Sequence, residues 1–339
     1  MTNNAHSAIQ RAASLVPLPA LLAELGVQLD AALAGTGVSA DQLAPDTFIP
    51  YTAYLAILDN AASITRREDF GLVLGRRQTL AALGPLGRVM RHAATLGEAL
   101  AEFAAFQIGN STGGSVYLIR ADRDVLFGYG VLDSTTHVSP YIHDMVLAVG
   151  CNFIAELTRG VVKPREILSS RAAPRDLRPY HELGGCPVRF SESQTCLVLV
   201  GADLSFQLPE ANSERHEAAL AEMAPALVEA RRDVHVVVRH VLRHLLLTGK
   251  TNMTDVAAHL GIHPRTLRRR LRREETSFEE VRDEVRYAVA RELLRLGALS
   301  VSDIALTLDY ASASSFVHAF RRWSGTSPTN WRHGANRTR

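Results

Sequence analysis

The first half of the chain carries hydrophobic patterns of several helices. Apolar residues recur at helical spacing over residues 17–33 and 50–62, and Thr95 followed by Glu98 predicts a capped helix that runs to Phe106. The longest apolar run, from Val146 to Leu157, follows Ser139 and Pro140 and is shorter than the about 20 apolar residues of a membrane span. We therefore expect a buried helix there.

Short apolar runs between these helices predict strands. Residues 115–120 and 124–131, separated by a short polar turn, predict a hairpin. Three shorter runs predict further strands over residues 166–169, 188–190 and 195–200. Helices around a small antiparallel sheet make the N-terminal part an α+β domain.

A repeat with a register of 48 residues lies near the C-terminus. It aligns NMTDVAAHLGI, from Asn252, with SVSDIALTLDY, from Ser300. Each copy begins with a capping residue and places Asp three residues later, as Asp255 or Asp303, which is the pattern of a capped helix start. The two copies therefore predict two helical units of the same kind.

Each copy continues through a tight turn into a second helix. Gly261 stands at the first turn and Asp309 at the second, and Gly accepts the left-handed backbone more easily than Asp. Two apolar pairs define the inner faces of the second helices: Leu267 with Leu271, and Phe316 with Phe320. Helix, turn and helix with a narrow apolar seam form the helix-turn-helix motif.

A long helix over residues 279–295 is predicted to join the two motifs. It follows a capping box of Ser277 and Glu280 and has an apolar stripe at Val281, Val285, Val289, Leu293 and Leu296. Its length of about 25 Å suits two recognition helices held near the ~34 Å repeat of the major groove.

The charge is divided between the two ends. Residues 1–230 contain 17 Lys and Arg against 24 Asp and Glu, for a net charge of −7, whereas residues 231–339 contain 20 against 11, for a net charge of +9. Such asymmetry indicates that the C-terminal part meets a polyanion.

Six of the nine residues from Arg265 to Arg273 are arginine. With the leucines turned inward, this helix presents side chains that pair with guanine edges and neutralise phosphates. The other recognition helix is small and nearly neutral, and we expect it to read DNA more weakly. The predicted DNA-binding residues are Arg265, Thr266, Arg268, Arg269 and Arg272 in the first unit, and Ser314, Ser315, His318, Arg321 and Arg322 in the second.

These motifs resemble a known family. The segment from Val234 to Arg332, with VAAHLGIHPRTLRRRLRREETSF and the closing IALTLDYASASSFVHAFRRWSGTSPTNWR, is similar to the DNA-binding domain of AraC/XylS-type regulators. It departs from the family at Asp309, where a turn glycine is usual, and at His318, where arginine is common. Residues 69–100 and 185–199 resemble the arabinose-binding-type sensor domain, which is not a cupin barrel. The resemblance implies a regulator whose sensor domain binds a small molecule.

The predicted fold is mainly α with a smaller α+β part. We expect a sensing and dimerisation domain over residues 1–208, a linker region over 209–231, and an all-α domain with two helix-turn-helix units joined by a long helix over 232–335. The expected partners are double-stranded DNA, RNA polymerase, an unidentified effector and a second copy of the chain. No export signal is visible, so we expect a cytoplasmic protein associated with the nucleoid.

An effector pocket is predicted between the sheet and the helix from Tyr141. Its candidate residues are Phe106, Tyr117, Tyr129, His137, Tyr141 and Met145, which combine apolar walls with polar tips. No cofactor or metal is expected, because His92 and His137 are isolated and the three cysteines have neither disulfide nor zinc-ligand spacing. We expect all three cysteines to be buried.

Three functions compete at this point. The first is a one-component switch in which an effector controls DNA binding and transcription, most simply as an activator. The second is a regulator without ligand, whose N-terminal half only dimerises. The third is an enzyme fused to a DNA-binding domain, but the chain lacks GxSxG, HExxH, reactive Pro-Cys or Cys-x-x-Cys motifs and phosphate-binding glycine loops. We therefore expect no enzymatic activity.

Overall fold

The computed structural model describes residues 8–131, 139–192, 194–230, 234–246, 251–260, 262–296 and 299–336. The chain divides into two compact units. The first contains residues 1–116 and 123–227, and the second contains residues 117–122 and 228–339. The turn at Gly261 and the pocket candidate His137 lie outside the described residues.

The helices of the N-terminal part surround a small sheet. They are α1 (Leu18–Glu24), α2 (Leu29–Leu33), α3 (Tyr51–Thr65), α4 (Phe70–Gly75), α5 (Pro85–His92), α6 (Leu96–Phe106), α7 (Pro140–Thr158), α8 (Arg178–His181) and α9 (Ser213–Ala230). The predicted helix over residues 17–33 is two helices, because the chain turns at Gly26 with a φ of +73°. Thr95 caps α6 as predicted, by accepting a hydrogen bond from the Glu98 amide.

The strands form two sheets. A short pair is made of β1 (Ile9–Arg11) and β2 (Phe48–Pro50), which the hydrophobic pattern did not predict. The main sheet has the order β3-β4-β7-β5-β6, with β3 (Gly114–Ala121), β4 (Asp124–Val131), β5 (Glu166–Leu168), β6 (Val188–Arg189) and β7 (Thr195–Val200).

The main sheet is mixed rather than antiparallel. β7 runs antiparallel to β4 and to β5, whereas β6 pairs in parallel with β5. The prediction of an antiparallel sheet was wrong in this respect, because the length and apolar character of a short strand do not encode its direction.

Two glycines bring α4 against α7. A Cβ atom at Gly71 would lie 2.0 Å from the backbone oxygen of Tyr141, and one at Gly75 would lie 2.6 Å from that of Met145. Because the glycines are four residues apart, they lie on one face of α4 and allow the two backbones to approach closely. This contact fixes α7, which forms one wall of the cavity described below.

Between residues 234 and 336, the described part of the C-terminal unit consists of helices and their connections. Its helices are α10 (Val234–Leu245), α11 (Met253–His259), α12 (Pro264–Arg273), α13 (Phe278–Leu296), α14 (Val301–Thr307), α15 (Ala313–Ser324) and α16 (Pro328–Asn336). Helices α11 and α12 form the first helix-turn-helix unit, α14 and α15 form the second, and α13 joins them as predicted. Val281, Val285, Val289 and Leu293 of the predicted stripe are buried. The region predicted as a linker, residues 209–231, contains α9.

Candidate DNA-binding face and effector cavity

Helix α12 is built to present its arginines. Pro264 stands at the first helical position, and the His263 ring accepts a hydrogen bond at 3.2 Å from the Arg265 amide, which caps the start. Leu267 and Leu271 are buried and fix the rotation of the helix. The opposite side of the helix therefore faces outward.

The five residues predicted for this helix lie on or beside that outward side. Arg265, Arg268, Arg269 and Arg272 are exposed, and Thr266 is half-buried. Across the described ranges, the four arginines form no ion pair with an acidic side chain. Their charge is consequently available to phosphates or base edges.

Helix α15 presents a less basic surface. Ser312 caps it by accepting a hydrogen bond at 3.2 Å from the Ser315 amide, and the Ser315 hydroxyl lies 3.0 Å from the Ser312 hydroxyl. Ser315 is thus partly occupied in the cap, whereas Ser314 and His318 are exposed. Phe316 and Phe320 are fully buried, as the pattern predicted.

The two arginines at the end of α15 differ in their ion pairing. Arg322 donates a hydrogen bond at 2.5 Å to Asp283 of α13, and the Trp323 indole donates to the same oxygen at 3.3 Å. Arg321 is exposed and has no acidic partner within the described part of the chain. Sequence reasoning gave both the same role and missed the ion pair, which joins residues 39 positions apart.

A cavity of about 110 Å³ lies inside the first unit. The sheet and α7 provide much of its wall, where the pocket was predicted. Phe103 packs against Phe127 and Phe153, with ring centroids 6.1 and 5.6 Å apart. The wall is mainly apolar, and its larger side chains include Phe103, Phe127, Ile142, Met145, Phe153 and Leu197.

Several polar groups of this cavity are already hydrogen-bonded. Ser14 donates to the Tyr54 hydroxyl at 3.2 Å, and that hydroxyl donates to the Met145 sulfur at 3.3 Å. Tyr129 shares a hydrogen bond of 2.5 Å with Tyr51. Burial raises the pKa of Tyr54 to about 12 and also raises the pKa of Tyr129, so both phenols are neutral.

Among the described residues that line the cavity, Arg11 is the charged one. Its guanidinium donates to Asp46 at 2.6 Å, to the side-chain oxygen of Asn110 at 3.2 Å and to the backbone oxygen of Ala82 at 3.3 Å. No acidic residue lines the cavity within the described part of the chain. The interior is therefore nearly neutral.

Two of the six predicted pocket residues, Tyr129 and Met145, line this cavity. Tyr117 does not, because its neighbour Val116 faces the cavity and successive residues of a strand point to opposite sides. Phe106 is half-buried and is absent from the wall. Tyr141 also lies outside the wall, with the Arg171 guanidinium 5.8 Å from its ring centroid. Sequence reasoning missed Gln10, Gln78, Gln107 and Asn110, since a single polar residue in a short strand, a helix end or a turn gives no pocket signal.

A buried polar cluster lies beside the cavity. Asp144 accepts hydrogen bonds from Arg171 and, at 2.7 Å, from Tyr180, and burial raises its pKa to about 7. The His143 ring lies 2.8 Å from the Thr195 hydroxyl, and Thr195 itself lines the cavity. Burial, reinforced by Arg171, lowers the pKa of His143 to about 4, so this imidazole is neutral.

Glu98, Glu102 and His216 are the residues of the described chain whose ligand atoms are close enough to hold a metal ion, within 4.8 Å of one another. Burial raises the pKa of Glu102 to about 8, with a contribution from Glu98. The His216 ring nitrogen Nε2 lies within hydrogen-bond distance of Oε1 of Glu102, at 2.7 Å. This hydrogen bond accounts for the contact without an ion.

The comparisons with known proteins agree with this architecture. A family model described as the arabinose-binding domain of AraC transcription regulators matches residues 26–208, and a helix-turn-helix domain model matches residues 256–334. The chain belongs to the AraC family of transcription regulators. Its α11–α12 and α14–α15 pairs are thus the DNA-binding motifs of an AraC-family regulator. Among its described helices, none combines the length and apolarity needed to cross a membrane.

Relatives of this AraC-family chain extend over most of its length. The transcriptional regulator VirS of Mycobacterium tuberculosis is 27% identical over 289 residues, which cover 85% of each chain. The ornithine utilization regulator of Pseudomonas aeruginosa is 25% identical over 325 residues, covering 92% of this chain and 93% of the relative. The crystal structure of the regulator CdpR from Pseudomonas aeruginosa has 24% identity and a TM-score of 0.48, and it covers 95% of this chain and 98% of that one.

Proposed function

We propose that this AraC-family protein is a one-component switch, in which a small molecule bound in the first unit controls DNA binding by the second. The observation that carries the DNA-binding part is the arginine side of α12, which is exposed and unpaired with acids among the described residues. Arg265, Arg268 and Arg269 read base edges, and Arg272 with Thr266 supports the phosphate contacts. The α15 residues Ser314, Ser315, His318, Arg321 and Arg322 add shape and phosphate contacts.

The cavity supports control by an effector. It is a largely apolar space with a few polar groups, as small-molecule sites usually are. The family description mentions arabinose and one relative's name mentions ornithine. Neither compound suits this cavity, because most of its polar groups are engaged and no acidic residue among those described lines it to balance an amine. The effector is therefore of another class.

We also propose where the protein acts and what it binds. The chain acts in the cytoplasm on nucleoid DNA, contacts RNA polymerase as an activator and forms a homodimer. The relatives named above are regulators, which supports a function without catalysis. A dimeric regulator that needs no ligand is the alternative, and the effector experiment below separates the two.

Binding-site selection with the full-length chain tests the DNA-binding part. Arg269→Ala should relax the sequence preference and cost about 1–3 kcal/mol on the selected site. Arg273→Ala is the matched control, because it removes an equal charge from the end of the same helix, and it should weaken binding without changing the preferred sequence. Unchanged preference in Arg269→Ala would show that this side chain reads no base.

A thermal-shift screen of metabolites against the full-length chain tests the control by an effector. A ligand that binds the folded state raises the melting temperature by mass action. Its addition should then change the affinity for the selected site, and DNA should change the affinity for the ligand by the same factor. A ligand that binds without altering DNA affinity, self-association or transcription would contradict the switch and favour a ligand-independent regulator.

A further inference from the structure

Gln107, at the end of α6, differs from the other polar residues of the cavity in its hydrogen bonding. It is 8% exposed and lines the cavity, and within the described part of the chain its side-chain oxygen Oε1 has no hydrogen-bond partner. A buried acceptor left in this way costs free energy, because it has given up its hydrogen bonds to water. A ligand that donates one hydrogen bond to Oε1 would recover this energy.

The other polar groups named for this wall each have at least one hydrogen-bond partner. The Gln78 amide donates to the Ser14 backbone oxygen at 2.8 Å, and the Asn110 side-chain oxygen accepts from Arg11. Ser14, Tyr54, Tyr129 and Thr195 have the partners described above. A sugar would bury several hydroxyl groups, most of which would lack partners here.

The charge and the size of the cavity restrict the chemical class of the ligand further. Arg11 is the one charged group on the wall within the described residues, and Asp46 already neutralises it. An anion or a cation would thus lose its hydration without an opposite charge in return. The volume of about 110 Å³ is comparable to the engineered cavity of about 150 Å³ that takes up benzene in another protein. Phe103 meets Phe153 edge to face and Phe127 at a tilt, and this aromatic wall suits an aromatic ring.

We propose that the cavity binds a small, uncharged, mainly aromatic molecule with a single O–H or N–H group, which donates its hydrogen to Oε1 of Gln107. This inference rests on the proposed function, because it takes the cavity to be the effector site. Gln107 then selects a ligand that carries a hydrogen-bond donor over a ligand of the same shape that lacks one.

Phenol and fluorobenzene provide the matched probes, since they have nearly the same shape and differ in the donor. Their affinities for the full-length chain are measured by ligand-observed NMR titration, with pyridine as a probe that only accepts hydrogen bonds. From the wild type to Gln107→Met, the ratio of phenol affinity to fluorobenzene affinity should fall at least about tenfold. Ser14→Ala removes a hydroxyl that is already partnered, so it should leave the ratio unchanged.

The outcomes separate this inference from the proposed function. An equal ratio in the wild type and Gln107→Met, or a wild-type preference for pyridine, overturns the role of Gln107. If Gln107→Met does not fold, wild-type binding decides: fluorobenzene bound as tightly as phenol contradicts the inference. If a sugar or amino acid binds and changes DNA affinity, the ligand class is wrong but the switch stands. If neither these probes nor the metabolite panel bind, the role of Gln107 and the control by an effector both fail. DNA binding is then still tested separately by the binding-site selection.

Discussion

Arg286 of α13 donates two hydrogen bonds to Asp309, at 2.8 Å to its backbone oxygen and at 3.3 Å to its side-chain oxygen Oδ2. Asp309 forms the turn of the second helix-turn-helix unit with a φ of +59°. Thr251, just before α11, donates to the same Oδ2. Asp309, which replaces the usual turn glycine, therefore connects the second helix-turn-helix unit to α13 and to the start of the first helix-turn-helix unit.

Substitution of Asp309 should destabilise the C-terminal unit. Asp309→Ala combines the cost of a left-handed backbone with the loss of the bonds from Arg286 and Thr251, and we expect a loss of about 1–3 kcal/mol in the free energy of unfolding. Asp309→Asn retains a side-chain acceptor and tolerates the turn, so it should cost less. Both tryptophans, Trp323 and Trp331, lie in this unit, so tryptophan fluorescence during urea unfolding reports on it selectively. Equal losses in the two variants would refute the role of the side chain.

The neighbouring arginines at the end of α15 should contribute differently to DNA binding. Arg321→Ala removes a free charge, and if that charge contacts a phosphate, the slope of log affinity against log salt should decrease by about 0.9. Arg322→Ala should decrease it less, because Asp283 already pairs with Arg322 at 2.5 Å. Asp283→Asn frees Arg322 and should increase the slope. Identical slopes in the two alanine variants would contradict the assignment.

Glu102 should make the first unit less stable as the pH rises. Its pKa is raised to about 8 from a usual value of 4.5, so between these values the folded chain holds a proton that the unfolded chain has lost. The free energy of unfolding therefore falls across this window, by at most about 1.4 kcal/mol per pH unit. Calorimetry at pH 5 and pH 8 should show a smaller difference in Glu102→Gln than in the wild type. Glu98→Gln, at an exposed position, is the control and should retain most of the difference.

Gly114 should be essential for the tyrosine pair beside the cavity. A Cβ atom there would lie 1.9 Å from the Tyr129 hydroxyl, so Gly114→Ala must displace this ring and break its hydrogen bond to Tyr51. We expect a loss of about 2–4 kcal/mol in the free energy of unfolding, typical of overpacking combined with a broken buried bond. Gly109→Ala is the matched control, because its Cβ would meet no atom within 4 Å. Thermal unfolding followed by far-UV circular dichroism measures both, and equal stability of the two variants would rule out the steric argument.

Much of the C-terminal unit could be predicted from the sequence. The cap at Ser300, the buried pairs of α12 and α15 and the joining helix all depend on residues within a few positions of one another. Short-range hydrogen bonds and helical periodicity decide such features, and both are visible in a linear pattern. The left-handed turn at Asp309 belongs to the same class.

The N-terminal unit was less predictable. The sequence located the five strands of the main sheet to within a residue or two. It did not predict the parallel direction of β6 or the existence of β1 and β2. Of the three cysteines, Cys186 is only half-buried, against the expectation that all are buried. Direction, pairing and depth of burial depend on which distant segments meet, and a single short segment does not contain that information.

The sequence by itself determined the family, the two DNA-binding units and the outward face of the arginine-rich helix, because local periodicity and charge are sufficient for these. Tertiary structure alone decided that Asp283 pairs with Arg322 while Arg321 stays exposed, and that Gln107 faces a cavity with an unpartnered oxygen. The physical reason is that hydrogen-bond satisfaction is a property of groups brought together in space, often a hundred residues apart in the chain, and it exists only after the chain has folded.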